Sequence, residues 1–125
     1  MTSKAGKRVL VVEDDPVVAM VVEDTLRDLG LEVIVDLTLV DALNEIETSE
    51  FNAVVIDVGL RGETAHPLMV ALQERHVPFV VISGGDLTTL AAEFPQVRMM
   101  SKPLDMKSLQ QVVQDLLATP PAPGV

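Results

Sequence analysis

The chain has no cysteine among its 125 residues, which excludes disulfide bonds, a thiolate nucleophile and any zinc site built on sulfur. Aromatic residues are confined to three Phe, with no Trp or Tyr, so bases could not be stacked in series as single-strand nucleic-acid binders require. Basic residues are scarce as well: nine Lys and Arg face nineteen Asp and Glu, a formal net charge of −10. A field of that sign opposes direct contact with nucleic acid or an anionic membrane. There is no apolar run of membrane-spanning length, and Met1 to Lys7 is polar rather than a basic-then-apolar leader. The expectation is a cytoplasmic, soluble protein without a membrane or direct nucleic-acid partner.

What is there is a large apolar complement, 48% of residues, sufficient for one compact core. Arg8 to Val12 is a short run rich in β-branched residues, stopped by Glu13-Asp14-Asp15-Pro16, which opens a helix with Asp15 as its N-cap. Val18, Val21, Val22, Thr25 and Leu29 are read as the buried stripe of that helix, which ends near Leu29, with Gly30 supplying a left-handed cap. Leu31 to Val35 reads as a second strand. Thr38 and Asp41 form a capping-box signature before a second helix carrying Leu39, Leu43 and Ile46.

Phe51 to Ile56 is almost continuously apolar and breaks at Asp57, the pattern of a parallel strand buried on both faces that ends in a polar mouth. Gly59 and Gly62 mark a loop, Pro67 to Arg75 a helix, Val77 to Ile82 a strand, and Ser83-Gly84-Gly85-Asp86 another loop. Leu87 to Glu93 allows only a short fourth helix. Val97 to Met100 follows as a fifth strand, Lys102-Pro103 as a turn, and Leu109, Val112, Val113, Leu116 and Leu117 as the stripe of a last helix. Residues 8 to 118 thus form one domain, between an N-terminal extension of residues 1 to 7 and a Pro-rich tail of residues 119 to 125 expected to be disordered.

Strands alternating with helices imply an α/β domain, a doubly wound five-stranded parallel sheet of order 2-1-3-4-5. Ligands of such sheets sit beyond the carboxyl ends of the strands, and here those ends carry Glu13, Asp14, Asp57, Ser83 and Lys102. Three carboxylates brought together repel one another unless a cation joins them, and all-oxygen ligation suits Mg²⁺. With a metal present, an aspartate can act as nucleophile on a phosphoryl group. Lys102, the Ser83 hydroxyl and loop amides would then meet the charge on its oxygens.

In order and spacing, Val11-Val12-Glu13-Asp14, Asp57, Ser83 and Lys102-Pro103 resemble the response-regulator receiver family, over residues 8 to 118. The resemblance implies that Asp57 is the phosphoacceptor. It makes Asp14 a direct Mg²⁺ ligand, Glu13 a ligand acting through water, and Gly59 a ligand through its carbonyl. Ser83 would be the switch hydroxyl, Lys102 the phosphate-contacting lysine, and Lys102-Pro103 a cis bond. It further implies a stand-alone response regulator, not an enzyme in its own right, that takes its phosphoryl group from a sensor histidine kinase or phosphotransferase. Its output would be a protein effector bound in trans at the surface of the fourth helix, fifth strand and fifth helix.

Two departures are informative. Met99 stands where the family often has a switch aromatic. Pro78-Phe79-Val80-Val81-Ile82-Ser83-Gly84-Gly85 resembles the Pro-Phe-x-Phe-Ala-Thr-Gly-Gly/Tyr motif of an alphaproteobacterial single-domain subfamily with a shortened fourth helix, although Val81 and Ile82 depart from it. That likeness implies a role in stress response.

Competing readings fare worse. A flavodoxin-like electron carrier needs a Gly/Ser/Thr-rich first loop and aromatics, whereas this chain offers Glu13-Asp14-Asp15-Pro16. An aspartate-nucleophile phosphatase needs an acid two residues beyond the nucleophile, where Gly59 stands. A phosphate sink, or a receiver-like module that binds partners without phosphorylation, remains as the alternative. His66 and His76 read as surface residues.

Overall fold

The structure is a computed structural model that describes residues 7 to 58, 65 to 85 and 88 to 118. Five strands alternate with five helices in the order β1 (Arg8–Val12), α1 (Pro16–Arg27), β2 (Glu32–Asp36), α2 (Leu39–Thr48), β3 (Ala53–Asp57), α3 (His66–Glu74), β4 (Phe79–Ser83), α4 (Thr88–Glu93), β5 (Arg98–Ser101) and α5 (Met106–Ala118). All neighbours are parallel in a sheet of order β2-β1-β3-β4-β5, the doubly wound arrangement expected. Residues 1 to 6, the loop glycines Gly59 and Gly62, Asp86, Leu87 and the tail of residues 119 to 125 lie outside the described residues.

Strand alternation divides the core into two layers. Leu10, Val12, Val54, Ile56, Phe79 and Val81 pack with α2 and α3, whereas Val9, Val11, Ala53, Val55, Val80 and Ile82 pack with α1 and α5. Because both faces of β1, β3 and β4 are covered, these strands are apolar throughout, and β3 is buried along its whole length. Full burial of each Leu or Ile contributes about 1.5–3 kcal/mol relative to exposure.

Local chemistry sets the boundaries. Asp15 caps α1 by accepting from the amides of Val17 and Val18 at 2.9 and 3.4 Å, and Thr38 caps α2 by accepting from Asp41 at 3.1 Å. Gly30 adopts φ +83 after α1, as a left-handed cap demands. Helix α1 ends at Arg27 rather than Leu29, because the amides of Leu29 and Gly30 turn back to the carbonyls of Leu26 and Arg27. Helix α3 begins at His66, one residue before Pro67. Strand β4 starts at Phe79 rather than Val77, since the Val77 amide is taken by the Leu72 carbonyl at 3.0 Å, closing α3, and Pro78 has no amide to pair.

The buried stripe of α1 differs from expectation. Ala19, Val22 and Leu26 are its buried residues, while Val21 is 47% exposed and Val17 and Met20 are exposed further. Six consecutive apolar residues, Val17 to Val22, surround the helix, so apolar identity alone does not fix its phase. The α5 stripe is buried at Leu109, Val112, Val113 and Leu116, and α2 buries Leu39, Ala42 and Ile46.

Candidate functional site

The register of the sheet assembles the site. Val12 pairs with Ile56, so Glu13 and Asp57 follow at adjoining strand ends, and Asp57 pairs with Ile82, one residue before Ser83. Ser83 pairs with Ser101, immediately before Lys102. Since Asp57 alternates in phase with Ala53 and Val55, its side chain belongs to the α1/α5 face.

Glu13 and Asp57 are the buried charged residues among those described, 6% and 5% exposed. Oxygens of Glu13, Asp14 and Asp57 lie within 4.8 Å of one another. Lys102 Nζ donates to Asp57 Oδ2 at 2.7 Å. Burial, reinforced by the hydrogen bond to Asp57, pushes the Glu13 carboxyl up from 4.5 to about 8, although the Asp15 amide, donating to Glu13 Oε2 at 3.2 Å, works against the rise. The hydrogen bond to Asp57 raises the Lys102 ammonium above its ordinary value against the opposing effect of burial.

On the neighbouring strand end, Ser83 Oγ accepts from the Gly85 amide at 3.0 Å, while the Lys102 amide donates to the Ser83 carbonyl at 3.0 Å. The Lys102-Pro103 bond is cis, as the family resemblance implied. Gly84 lies against the Lys102 stem, where an added Cβ would meet Cδ at 3.8 Å. Thus Glu13, Asp14, Asp57, Ser83 and Lys102 share one edge of the sheet. Gly59, the remaining expected ligand, falls outside the described residues.

Residues 9 to 114 match the family model described as the response regulator receiver domain. The chain belongs to the response regulator receiver family. Its receiver fold carries the family's acidic cluster at the strand ends. The chain is 29% identical to the sensor histidine kinase GacS of Pseudomonas protegens over 89% of its own length. It spans only 13% of that kinase. Among solved structures it resembles a Francisella response regulator receiver domain (TM-score 0.80, 23% identity, 90% of this chain and 97% of that one). It also resembles the receiver domain of a Pseudomonas aeruginosa sensor histidine kinase (TM-score 0.78, 24% identity, 92% and 100%), whose active-site cleft holds a coordinated magnesium ion.

Two features in and around the receiver site escape a reading of the sequence. A cavity of about 280 Å³ runs from Asp57 and Lys102 between apolar walls formed by Val17, Val21, Leu104 and Met106. The uninterrupted apolar run of Val17 to Val22, more than one helix face can bury, was the available signal. The second is Asp36 at the end of β2, whose carbonyl accepts from the Glu13 amide at 3.1 Å. Burial, followed by the nearby Glu45 and Asp41 carboxylates, pushes its carboxyl up from 3.8 to about 6. None of the described helices is long and apolar enough to cross a membrane.

Proposed function

We propose that Asp57 accepts a phosphoryl group and that the chain acts as a receiver in a two-component phosphorelay. The observation that carries this reading is a buried aspartate held 2.7 Å from Lys102 and within 4.8 Å of two further carboxylates. An Asp57 oxygen attacks the phosphorus of a phosphohistidine, the phosphorus–nitrogen bond breaks, and the imidazole leaves with the bonding pair and takes up a proton. Lys102 orients the carboxylate by its bond to Oδ2 and then follows the phosphoryl oxygens. Ser83, whose oxygen already accepts from Gly85, keeps its own hydrogen to donate to the phosphoryl group.

The donor set of Glu13, Asp14 and Asp57 is all oxygen and carries more negative charge than Lys102 offsets, which fits Mg²⁺. Those three residues, with the Gly59 carbonyl, would hold the ion, which when bound neutralises charge on the phosphoryl oxygens. Mg²⁺ affinity should fall more in Asp14→Asn than in Asp15→Asn, because Asp15 is committed to capping α1.

The phosphodonor is a sensor histidine kinase or phosphotransferase, and the exposed apolar face of α1 beside Asp57 offers it a landing surface. Output is a contact with a cytoplasmic protein effector. The six-residue α4 and Met99 support kinship with the stress-response subfamily. Intact mass after incubation with acetyl phosphate and Mg²⁺ tests the reading: the wild type gains one phosphoryl group and Asp57→Asn none, whereas equal labelling of both overturns it.

A further inference from the structure

Among its described side chains, helix α4 is mostly exposed. Its two alanines, Ala91 and Ala92, are exposed, and Leu90 is its partly buried apolar side chain against the α2/α3 core. The following residue, Phe94, is 5% exposed and donates its amide to the Leu90 carbonyl at 2.8 Å. A side chain from another helix reaches both features. His66, the first residue of α3, places Nε2 2.9 Å from Glu93 Oε2. Its ring meets Phe94 edge-on at 5.4 Å between centroids. Since the carboxylate can only accept, the imidazole N–H donates.

The positions of the two partners give this contact its meaning. His66 opens the helix that follows the Asp57 strand end, and Glu93 closes the helix that follows Ser83. The bridge therefore ties together the elements downstream of the acceptor and of the switch hydroxyl. It is closed in the same arrangement in which Lys102 grips Asp57 and Ser83 accepts from Gly85. A phosphoryl group on Asp57 would draw both Lys102 and the Ser83 hydroxyl to itself, and Ser83 ends the strand that precedes α4.

We propose that His66 and Glu93 form a latch that holds α4 in its resting position and must open when Asp57 is phosphorylated. The proposal rests on the phosphoacceptor reading and adds a regulatory device to it. With Ala91, Ala92 and Glu93 exposed and Leu90 only partly buried, a modest bond is enough to bias α4 between two positions. Both side chains are nearly half exposed, 44% and 48%, so the latch tunes the equilibrium and does not lock it.

The test measures affinity for beryllofluoride, a phosphoryl mimic, at saturating Mg²⁺ in the wild type, His66→Phe, Glu93→Met and the double variant. His66→Phe retains a ring beside Phe94 but has no donor, and Glu93→Met retains length but has no carboxylate. Each single variant should bind the mimic about two- to fivefold more tightly, and the double variant no more tightly than either single. In the wild type, the imidazole resonances of His66 should shift on adding the mimic while those of His76, exposed at the far end of α3, stay in place. Unchanged affinities, additive effects, or a stationary His66 signal with the mimic bound would overturn the latch. A wild-type protein that binds no mimic at all overturns the phosphoacceptor reading, and the latch falls with it.

Discussion

Ser83 receives the amide hydrogen of Gly85, two residues on, at 3.0 Å, so its oxygen is held while its own hydrogen can still be directed elsewhere. The side chain thereby has a resting partner that it does not lose by donating. Ser83→Ala should weaken beryllofluoride binding about tenfold, the equivalent of one hydrogen bond to a charged group, and Ser83→Thr should restore most of it. Equal affinity of all three proteins would remove Ser83 from the switch.

The Glu13 carboxyl, raised to about 8, holds its proton more tightly in the folded chain than in the unfolded one. Folding stability of metal-free protein therefore falls as pH rises between 4.5 and about 8. From pH 6 to pH 8, above the Asp36 transition, the loss should be about 2 kcal/mol. Saturating Mg²⁺ should reverse it, supplying ~2.7 kcal/mol at a hundredfold excess over Kd. Urea unfolding with chelator and with Mg²⁺ checks both statements, and a metal-free profile that rises with pH would contradict the first.

Asp36 carries a buried Oδ2 without a hydrogen-bond partner and faces the charges of Glu45 and Asp41. Because its folded pKa also lies above the unfolded value, the ionised form is a liability that grows as pH rises from 3.8 to about 6. Asp36→Asn should stabilise the protein at pH 7 by ~1 kcal/mol, allowing for solvent screening, or about 4 °C in Tm. At pH 4 the gain should nearly vanish. Equal gains at both pH values would point to a cause other than charge.

The phase of α1 can be tested directly. Leu26 is fully buried whereas Val21 is 47% exposed, so Leu26→Ala should cost ~3 kcal/mol and Val21→Ala less than ~0.5 kcal/mol. Comparable losses would restore Val21 to the core.

How much of this was legible in the sequence depended on whether a residue's role is set by its neighbours along the chain or across the sheet. The place of Asp57 at a strand mouth could be read because an apolar run that breaks at an acid marks the end of a buried parallel strand, and Glu13-Asp14 and Lys102-Pro103 stand at matching strand ends. Thr38 and Asp15 were legible because caps act on amides two or three residues away. Val21 was misplaced because six apolar residues in succession carry no period. The His66 bridge has no mark in the sequence, because Glu93, 27 positions away, comes beside it only through tertiary folding. The same holds for the orphaned oxygen of Asp36, which depends on how α2 settles over the end of β2.

The pairing of Lys102 with Asp57 spans 45 residues of chain, and the site draws on β1, β3, β4 and the turn after β5. During synthesis, β1 and β2 can pair once residue 36 has emerged, but the site lacks its lysine until Lys102 leaves the ribosome and β5 finds the sheet edge. Such long-range closure is slow compared with helix formation and comes late in folding. On the phosphoacceptor reading, competence to be phosphorylated is therefore a property of the nearly complete fold. A nascent or partly unfolded chain would be invisible to the donor, and acquisition of the phosphoryl group during refolding would time the docking of β5.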